Sequence, residues 1–469
     1  MLALSIILYI AATLFLGYKA SFRVKNTLDY TLAGRSLPAI MVGITIFATW
    51  FGPEMIMGVP GMFVKEGIQG IITDQFGVWL CLILLGLFYT RPLYRLNIVT
   101  INDFFRLRYN PAIETASSII NVFTYFPWIA AQFLSLALLF NTILGIPVGW
   151  GIILAAGVVL VYTYIGGMWA VSVTDLVQSA LIIGGLIYLL WVVLGQTGGI
   201  TPLVEDTPEG FFRFLPEPGL HNWLEYIGKW MVFGLGTIPA QELYQRVLAA
   251  RSENAAVRGA YISGVMLFVF GSIPLVIGLG IVKLYPGLMG GDEGQNMIPD
   301  MVFQYTSLPV QMLFFGALVS AILSTSSGAM LAPATVIGEN LVKPWFPAIT
   351  DRQLLLVTRM GVVLVAVVSS VMAFFNTSIH GLVVDSATLI LVCLFVPYTG
   401  GIYWKRSSVA GVWAAIVGGG LAWAICEYLI GTTINPIIYG TTASLVCMIA
   451  GSLIFPDESY IQYQKSAKT

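Results

Sequence analysis

Apolar stretches of about 20 residues follow one another along the chain and are separated by short polar segments. A stretch of this length forms one α-helix that crosses the hydrocarbon core of a bilayer. The pattern therefore predicts an all-α polytopic membrane protein. Its thirteen predicted membrane-spanning helices lie near residues 2–18, 38–64, 68–92, 112–141, 147–167, 169–196, 223–249, 255–284, 308–338, 352–376, 381–404, 408–430 and 436–455.

The composition agrees with this pattern. Of the 469 residues, 58% are hydrophobic and only 10% are charged, and the mean hydropathy is +0.87. About a quarter of the residues of a soluble domain are charged, so this chain cannot hide its apolar surface in a water-soluble core. We expect one integral domain over residues 1–469, in contact with the lipid bilayer, with no nucleic-acid partner and functional as a monomer.

The basic residues indicate an orientation. If the N-terminus lies outside the cell, most of the 22 lysines and arginines fall in inner loops, Arg246, Lys465 and Lys468 among them. Short cytoplasmic loops of membrane proteins carry such an excess. We therefore expect a plasma-membrane protein with its N-terminus outside and its C-terminus in the cytoplasm. The four predicted outer basic residues are Lys65, Arg213, Lys229 and Lys283.

The second predicted helix contains its own break, in the segment FATWFGPEMIMGVPG at residues 47–61. Pro53 removes a backbone donor and Gly52 eases departure from helical geometry. Carbonyl groups of residues 48–52 lose their partners, which is costly in lipid unless another group binds these oxygens. A simple kink that neighbouring helices satisfy is the alternative.

The seventh predicted helix has a similar break, in FGLGTIPAQELYQR at residues 233–246. The two breaks lie at corresponding positions in two five-helix blocks, residues 38–196 and 223–404. Blocks with an odd number of helices have opposite orientations, so the pattern predicts an inverted repeat. Paired interrupted helices point to a substrate site. Helix 2–18 and helices 408–455 lie outside the repeats.

The ninth predicted helix carries the segment ALVSAILSTSSGAM at residues 317–330. Ala321, Ser324, Thr325 and Gly328 follow the i, i+3, i+4, i+7 spacing and share one face. Two neighbouring hydroxyl groups on that face could offer oxygen ligands to a cation. A packing face of small residues, common between membrane helices, is the alternative.

Taken together, these segments resemble the sodium:solute symporter family, which has a LeuT-like core of 5+5 inverted-repeat helices. The resemblance rests on DYTLAGRSLP (29–38), the break at 47–61, YTYIGGMWAVSVTDLVQ (162–178), QRVLAARS (245–252) and SAILSTSSGAM (320–330). ATWFG and IPAQELYQRVL look most like the choline branch, whereas MGVPG and AILST also match the proline symporters. The resemblance implies a coupling Na⁺ bound by the carbonyls of Ala48, Phe51 and Ala321 and the hydroxyls of Ser324 and Thr325.

Some family members bind a second sodium through an aspartate of a TD motif and serines one turn past the first site. Asp175, Ser324 and Ser327 match these positions, but Gly328 replaces a hydroxyl found in those members. The number of sodium ions bound per transport cycle, one or two, is therefore left open. Independently, an acid inside a predicted span is a functional candidate. A position at a helix end near the inner surface is the alternative for Asp175.

The substrate site is expected at the breaks, with Gly52 among its residues. Trp50 and Trp128 match aromatic positions of the choline branch, where a cage of rings binds a cation. Ala240 and Val78 stand where that branch has aromatic residues, which argues against choline itself.

Glu54 could pair with a cationic solute, carry a proton, or cap the second half-helix, and capping is the favoured interpretation. Gln241 could bind substrate or satisfy orphan backbone groups. The weaker acidic candidates are Asp74, expected near the outer surface, and Glu242, Asp385 and Glu427.

These features predict a sodium-coupled secondary active symporter that imports a small polar organic solute, such as an amino acid or quaternary amine, by alternating access. The alternatives are a proton-coupled symporter with Glu54 or Asp175 as carrier and a channel, although no ring of repeated acids is visible. An enzyme is not expected, because two peripheral histidines supply no catalytic constellation and no GxxxxGK[ST] loop is present.

Overall fold

The computed structural model describes residues 1–289, 296–376, 379–460 and 463, without the side chains of His380 and Asp385. Lys465 and Lys468, which the sequence predicts to be cytoplasmic, lie outside these residues. Every regular element of the described chain is helical. The principal helices and helical runs are Leu2–Ser21, Thr27–Leu32, Ala39–Trp50, Glu54–Arg95, Ile101–Arg108, Pro111–Leu144, Val148–Thr197, Leu220–Gly234, Gln241–Leu248, Glu253–Leu284, Met297–Tyr305, Leu308–Trp345, Asp351–Phe374, Gly381–Tyr403, Val409–Ile430 and Pro436–Ile454.

Within the described residues, ten helical runs are long and apolar enough to cross a membrane. This confirms an all-helical, multi-spanning protein, whereas the count of thirteen stays a prediction. One of the ten runs, Val148–Thr197, covers two predicted helices and breaks at Gly167, where φ is 51°. A Cβ atom there would meet the Tyr30 carbonyl oxygen at 2.5 Å, so both the backbone conformation and the contact favour glycine.

Both predicted breaks are present. The first broken helix consists of Ala39–Trp50 and, after the break, a π-helical turn at Glu54–Gly58 that continues into Val59–Glu66. Phe51, between the halves, has φ −91° and ψ 66°. The second broken helix consists of Leu220–Gly234 and Gln241–Leu248. Gly52–Pro53 and Pro239 thus interrupt hydrogen bonding where the sequence predicts.

The segment Leu308–Val336, here called the serine-rich helix, lies at the centre of the bundle. All of its residues from 317 to 336 are buried. It contacts the long helices Val148–Thr197 and Pro111–Leu144 and the first half of the first broken helix. A helix surrounded on every side can use small and polar residues only where its neighbours complement them.

Loops that share a predicted side of the membrane contact one another. Arg91 and Arg95 form ion pairs with Glu253 at 2.8 and 2.9 Å. At other loops, Lys229 pairs with Glu66 at 3.4 Å and Lys283 pairs with an aspartate at 2.6 Å. Which of these two groups of loops faces the cytoplasm stays a prediction.

Candidate functional site

A cavity of about 60 Å³ lies between the two broken helices, helix Pro111–Leu144 and run Gly381–Tyr403. It is called the central cavity below. Because both helix breaks border it, it occupies the place where interrupted helices predict a substrate. Its described lining residues are Trp50, Glu54, Met55, Asp74, Val78, Thr124, Tyr125, Trp128, Phe233, Thr237, Ala240, Glu242, Val383, Ser386, Ala387 and Ile390.

Four of the six predicted substrate residues line this cavity: Trp50, Glu54, Trp128 and Ala240. Gly52 and Gln241 do not. A Cβ atom at Gly52 would meet Glu54 Oε1 at 2.7 Å, so the glycine makes room for the carboxylate. Gln241 Oε1 accepts a hydrogen bond from the backbone N–H of Ile101 at 2.8 Å. This contact is of the backbone-satisfying kind that the sequence left open for Gln241.

Several buried polar atoms at the cavity lack a partner. In the described part of the chain, Glu54 Oε2 and the indole Nε1 atoms of Trp50 and Trp128 make no hydrogen bond. These three side chains are 6%, 7% and 8% exposed. A buried polar group without a partner costs about 1–3 kcal/mol. Such a group in a native structure therefore points to a ligand or ordered water.

Two further acids line the cavity, and both are among the weaker functional candidates predicted from the sequence. Asp74 is only 3% exposed and lines the cavity, and its position towards the outer side of the membrane stays a prediction. Glu242 lies one position after the start of the second half-helix. Tyr125 donates a hydrogen bond to Glu242 Oε2, and the Glu242 backbone N–H donates to the Tyr125 hydroxyl at 3.0 Å.

Helical spacing contained a signal for these residues. Tyr125 precedes Trp128 by three positions, and Asp74 precedes Val78 by four, so each pair shares a helix face. Of the other acids, Glu427 is exposed and the side chain of Asp385 lies outside the described structure.

Two of the predicted sodium ligands, Thr325 and Ala48, meet beside the break. Thr325 Oγ1 donates a hydrogen bond to the carbonyl oxygen of Ala48 at 3.3 Å, which joins the serine-rich helix to the first broken helix. The non-helical ψ of Phe51 turns its carbonyl away from the helix axis. All five predicted ligand residues are fully buried. Carbonyl and hydroxyl oxygens are ligands that a hard cation accepts, so the residues present fit a sodium ion.

Asp175 lies deep inside the protein and contacts the same site. Ser324 Oγ donates a hydrogen bond to Asp175 Oδ1 at 2.5 Å, and the side chain of Asp175 is fully buried in the helix Val148–Thr197. Asp175 is therefore neither exposed nor at the end of a helix. Ser327 Oγ donates to the backbone oxygen of Ser324 at 3.0 Å and thus bonds within its own helix. The structure brings Asp175 and Ser324 together, with Ser327 one turn away.

Arg246 reaches this region from the second broken helix, although the sequence assigned it to an inner loop. It is 1% exposed. Its Nε donates to the Thr45 carbonyl at 3.1 Å and its Nη1 to the Glu242 carbonyl at 2.8 Å. Its Nη2 lies where a Cβ atom of Gly328 would be. The guanidinium also acts electrostatically on Asp175. Arg246 thus links both broken helices to the serine-rich helix.

This contact predicts the effect of filling the space at Gly328. Gly328→Ala should lower the free energy of unfolding by about 1–3 kcal/mol, because the new methyl group collides with Arg246 in a packed interior. Thermal unfolding of the purified protein measures this. Gly316→Ala on the same helix is the matched control, since its Cβ would meet open space. Equal unfolding midpoints for the two variants would contradict the packing described.

Comparisons with known proteins agree with this architecture. The family model described as sodium:solute symporter family matches residues 30–419. The chain is 26% identical over 410 residues to a Caenorhabditis elegans high-affinity choline transporter, covering 82% of this chain and 69% of the relative. It is 27% identical over 477 residues to the high-affinity proline transporter PutP of Bacillus subtilis strain 168, covering 94% and 95%. A solved Na⁺-coupled sialic acid symporter in an outward-open state has the same fold, with a TM-score of 0.83 at 19% identity over 97% of this chain and 98% of that one.

Proposed function

Because this chain belongs to the sodium:solute symporter family, whose members are transporters and not enzymes, we propose that it imports a small polar organic solute by sodium-coupled secondary active symport. The observation that carries the proposal is the contact between Thr325 Oγ1 and the Ala48 carbonyl. It supports the proposal because it joins the residues of the proposed all-oxygen cation site to the helix break whose Trp50 and Glu54 line the central cavity.

The proposed architecture has thirteen membrane crossings, of which ten form the two inverted five-helix repeats at about 38–196 and 223–404. The protein lies in the plasma membrane as a functional monomer, with its N-terminus outside and its C-terminus in the cytoplasm. The glycine break in Val148–Thr197 supports the count, because it divides one 50-residue helix where two crossings are predicted. The loop contacts of Arg91, Arg95 and Glu253 support a common side for those loops.

In the proposed cycle, sodium is a transported partner of the solute. The carbonyls of Ala48, Phe51 and Ala321 and the hydroxyls of Ser324 and Thr325 bind it. Because these oxygens come from two helices, occupancy favours the arrangement in which the first broken helix rests on the serine-rich helix. That arrangement also holds Trp50 and Glu54 in place for the solute. Release of both at low internal sodium then follows from the differential affinity of the two arrangements.

We further propose that one sodium accompanies each solute. A second ion at Asp175, Ser324 and Ser327 would lie close to the Arg246 guanidinium, which already supplies a positive charge to Asp175. Gly328, in place of a hydroxyl, leaves the room that this guanidinium fills. Like charges at short range in a low-dielectric interior oppose each other strongly. The geometry therefore favours the Arg246 guanidinium, and not a second sodium ion, as the cation beside Asp175.

Thermal unfolding of the purified protein at constant ionic strength tests the class and the stoichiometry. Sodium should raise the unfolding midpoint, and potassium or N-methylglucamine should not, because only the ion that binds the native state stabilises it. The dependence on sodium concentration should follow a single-site curve. Equal stabilisation by potassium, or stabilisation that follows proton concentration alone, would overturn sodium coupling. A cooperative sodium dependence would overturn the proposed stoichiometry.

A further inference from the structure

The charged residues that line the central cavity indicate which charge the solute carries. Three lining residues are carboxylates, Glu54, Asp74 and Glu242, and no described lining residue is a lysine, arginine or histidine. All three are at least nine-tenths buried. Buried carboxylates are strongly unfavourable unless a positive charge or hydrogen-bond donors compensate them. The cavity therefore presents acidic groups to its occupant, and a positive charge suits it better than a negative one.

The three acids form two separate positions. Glu54 lies on the first broken helix and interacts electrostatically with Asp74, which belongs to the following segment Ile72–Phe76. Glu242 lies on the second broken helix, where its carboxylate accepts a hydrogen bond from Tyr125. Arg246 acts on Glu242 from behind, but its direct hydrogen bond goes to the Glu242 backbone oxygen. Two acidic positions thus face one cavity from opposite broken helices.

Unpartnered atoms show what kind of cation fits. Within the described structure, Glu54 Oε2 has no hydrogen-bond donor, and the amide of Gln132 acts on Glu54 without reaching hydrogen-bond geometry. A carboxylate oxygen of this kind is satisfied by an N–H group. A quaternary ammonium has no N–H to offer. It also depends on a complete set of aromatic rings, whereas Val78 and Ala240 leave two walls aliphatic.

A free carboxylate on the solute fits this cavity poorly. It would face three protein carboxylates, and the described lining holds no arginine or lysine to receive it. Trp50 and Trp128 also line the cavity, and aromatic ring faces suit both an ammonium group and an aliphatic chain. Within the described structure, the Nε1 atom of Trp50 makes no hydrogen bond.

We infer that the transported solute is a short aliphatic diamine, with one primary ammonium group at Glu54 and Asp74 and the other at Glu242. The alkyl chain lies against Trp50 and Trp128. This inference rests on the proposed symport through the central cavity and names its substrate class.

Thermal unfolding of the full-length protein in saturating sodium tests the substrate class. The probes are 1,4-diaminobutane, 1-aminobutane, choline and proline at equal concentrations. We expect the diamine to raise the unfolding midpoint most, and only in sodium, because it alone carries two N–H-bearing charges. Choline, proline or the monoamine equalling or exceeding the diamine would overturn the inference, whatever any variant does. Stabilisation by sodium without any effect of the amines would overturn it too and leave the proposed symport standing.

A matched pair of variants tests the position of the solute. Glu54→Gln should weaken binding of 1,4-diaminobutane about tenfold or more, since a hydrogen bond to a charged group contributes about 1.5–3 kcal/mol. Binding of 1-aminobutane should change less, because Glu242 still holds its single charge. Glu427→Gln, at an exposed acid outside the cavity, should match the unmodified protein for both amines. An unchanged preference for the diamine in Glu54→Gln would overturn the assignment of Glu54, and the sodium response of this variant verifies its fold.

Discussion

Replacement of Ser324 and Thr325 together by alanine should remove the stabilisation of this protein by sodium and abolish sodium-driven uptake of its solute. The two hydroxyls are the only side-chain ligands among the five proposed oxygens, and both come from the serine-rich helix. A hydrogen-bonding group facing a charge contributes about 1.5–3 kcal/mol, so each loss should weaken sodium binding roughly tenfold or more. Sodium titration of the unfolding midpoint measures this directly.

Ser326→Ala is the matched control for this double variant. Ser326 lies on the same helix and is equally buried, but its hydroxyl donates to the Ile322 carbonyl at 2.5 Å and so bonds within the helix. Removing such a back-bonded hydroxyl should leave sodium binding unchanged. A double variant that keeps its sodium response would refute the site. Uptake that persists in the double variant and does not depend on sodium would instead favour proton coupling through Glu54 or Asp175, because those carboxylates are untouched by the change.

Arg246→Gln should be the most destabilising single substitution proposed for this protein, with a loss of about 3–5 kcal/mol in the free energy of unfolding. Arg246 is buried, donates to carbonyls on both broken helices and balances part of the charge of Asp175. Its removal leaves those carbonyls short of a donor and the carboxylate without its cation. Thermal unfolding of the purified variant provides the measurement.

Three companion variants separate charge from packing. Arg251→Gln, at an exposed arginine five residues further on, should be nearly neutral. Arg246→Lys keeps the charge but loses the planar fork, so its stability should be intermediate. Arg246→Gln combined with Asp175→Asn removes both buried charges and should recover part of the loss. If Arg246→Gln unfolds like the unmodified protein, then Arg246 does not hold the broken helices together.

The loss of Arg246 also bears on stoichiometry. If this guanidinium occupies the place of a second cation, an Arg246→Gln protein that still folds should acquire a steeper sodium dependence. Asp175 and Ser324 would then be free to bind an ion. A sodium titration that stays on a single-site curve would instead indicate that Gly328 alone prevents a second site.

Local composition was sufficient for much of the fold. Runs of about 20 apolar residues have few ways to avoid water other than as helices in a bilayer, and the described helices follow them. Gly52–Pro53 and Pro239 break helices through backbone chemistry, so these breaks were also predictable. The family was recognisable from short segments whose order the fold preserves, and the family model confirms it.

The partners of each polar side chain were decided only by the tertiary structure. Asp74, Tyr125 and Glu242 belong to three different helices, and their meeting at one cavity depends on how these helices cross and rotate. Arg246 looked like an inner-loop cation because charge and spacing are properties of a single segment. Its burial against Gly328 depends on close approach of another helix. The sequence by itself determined which segments cross the membrane and where their backbones open, because both follow from local chemistry. Which charges those openings face was decided by packing between distant helices, which no local pattern records.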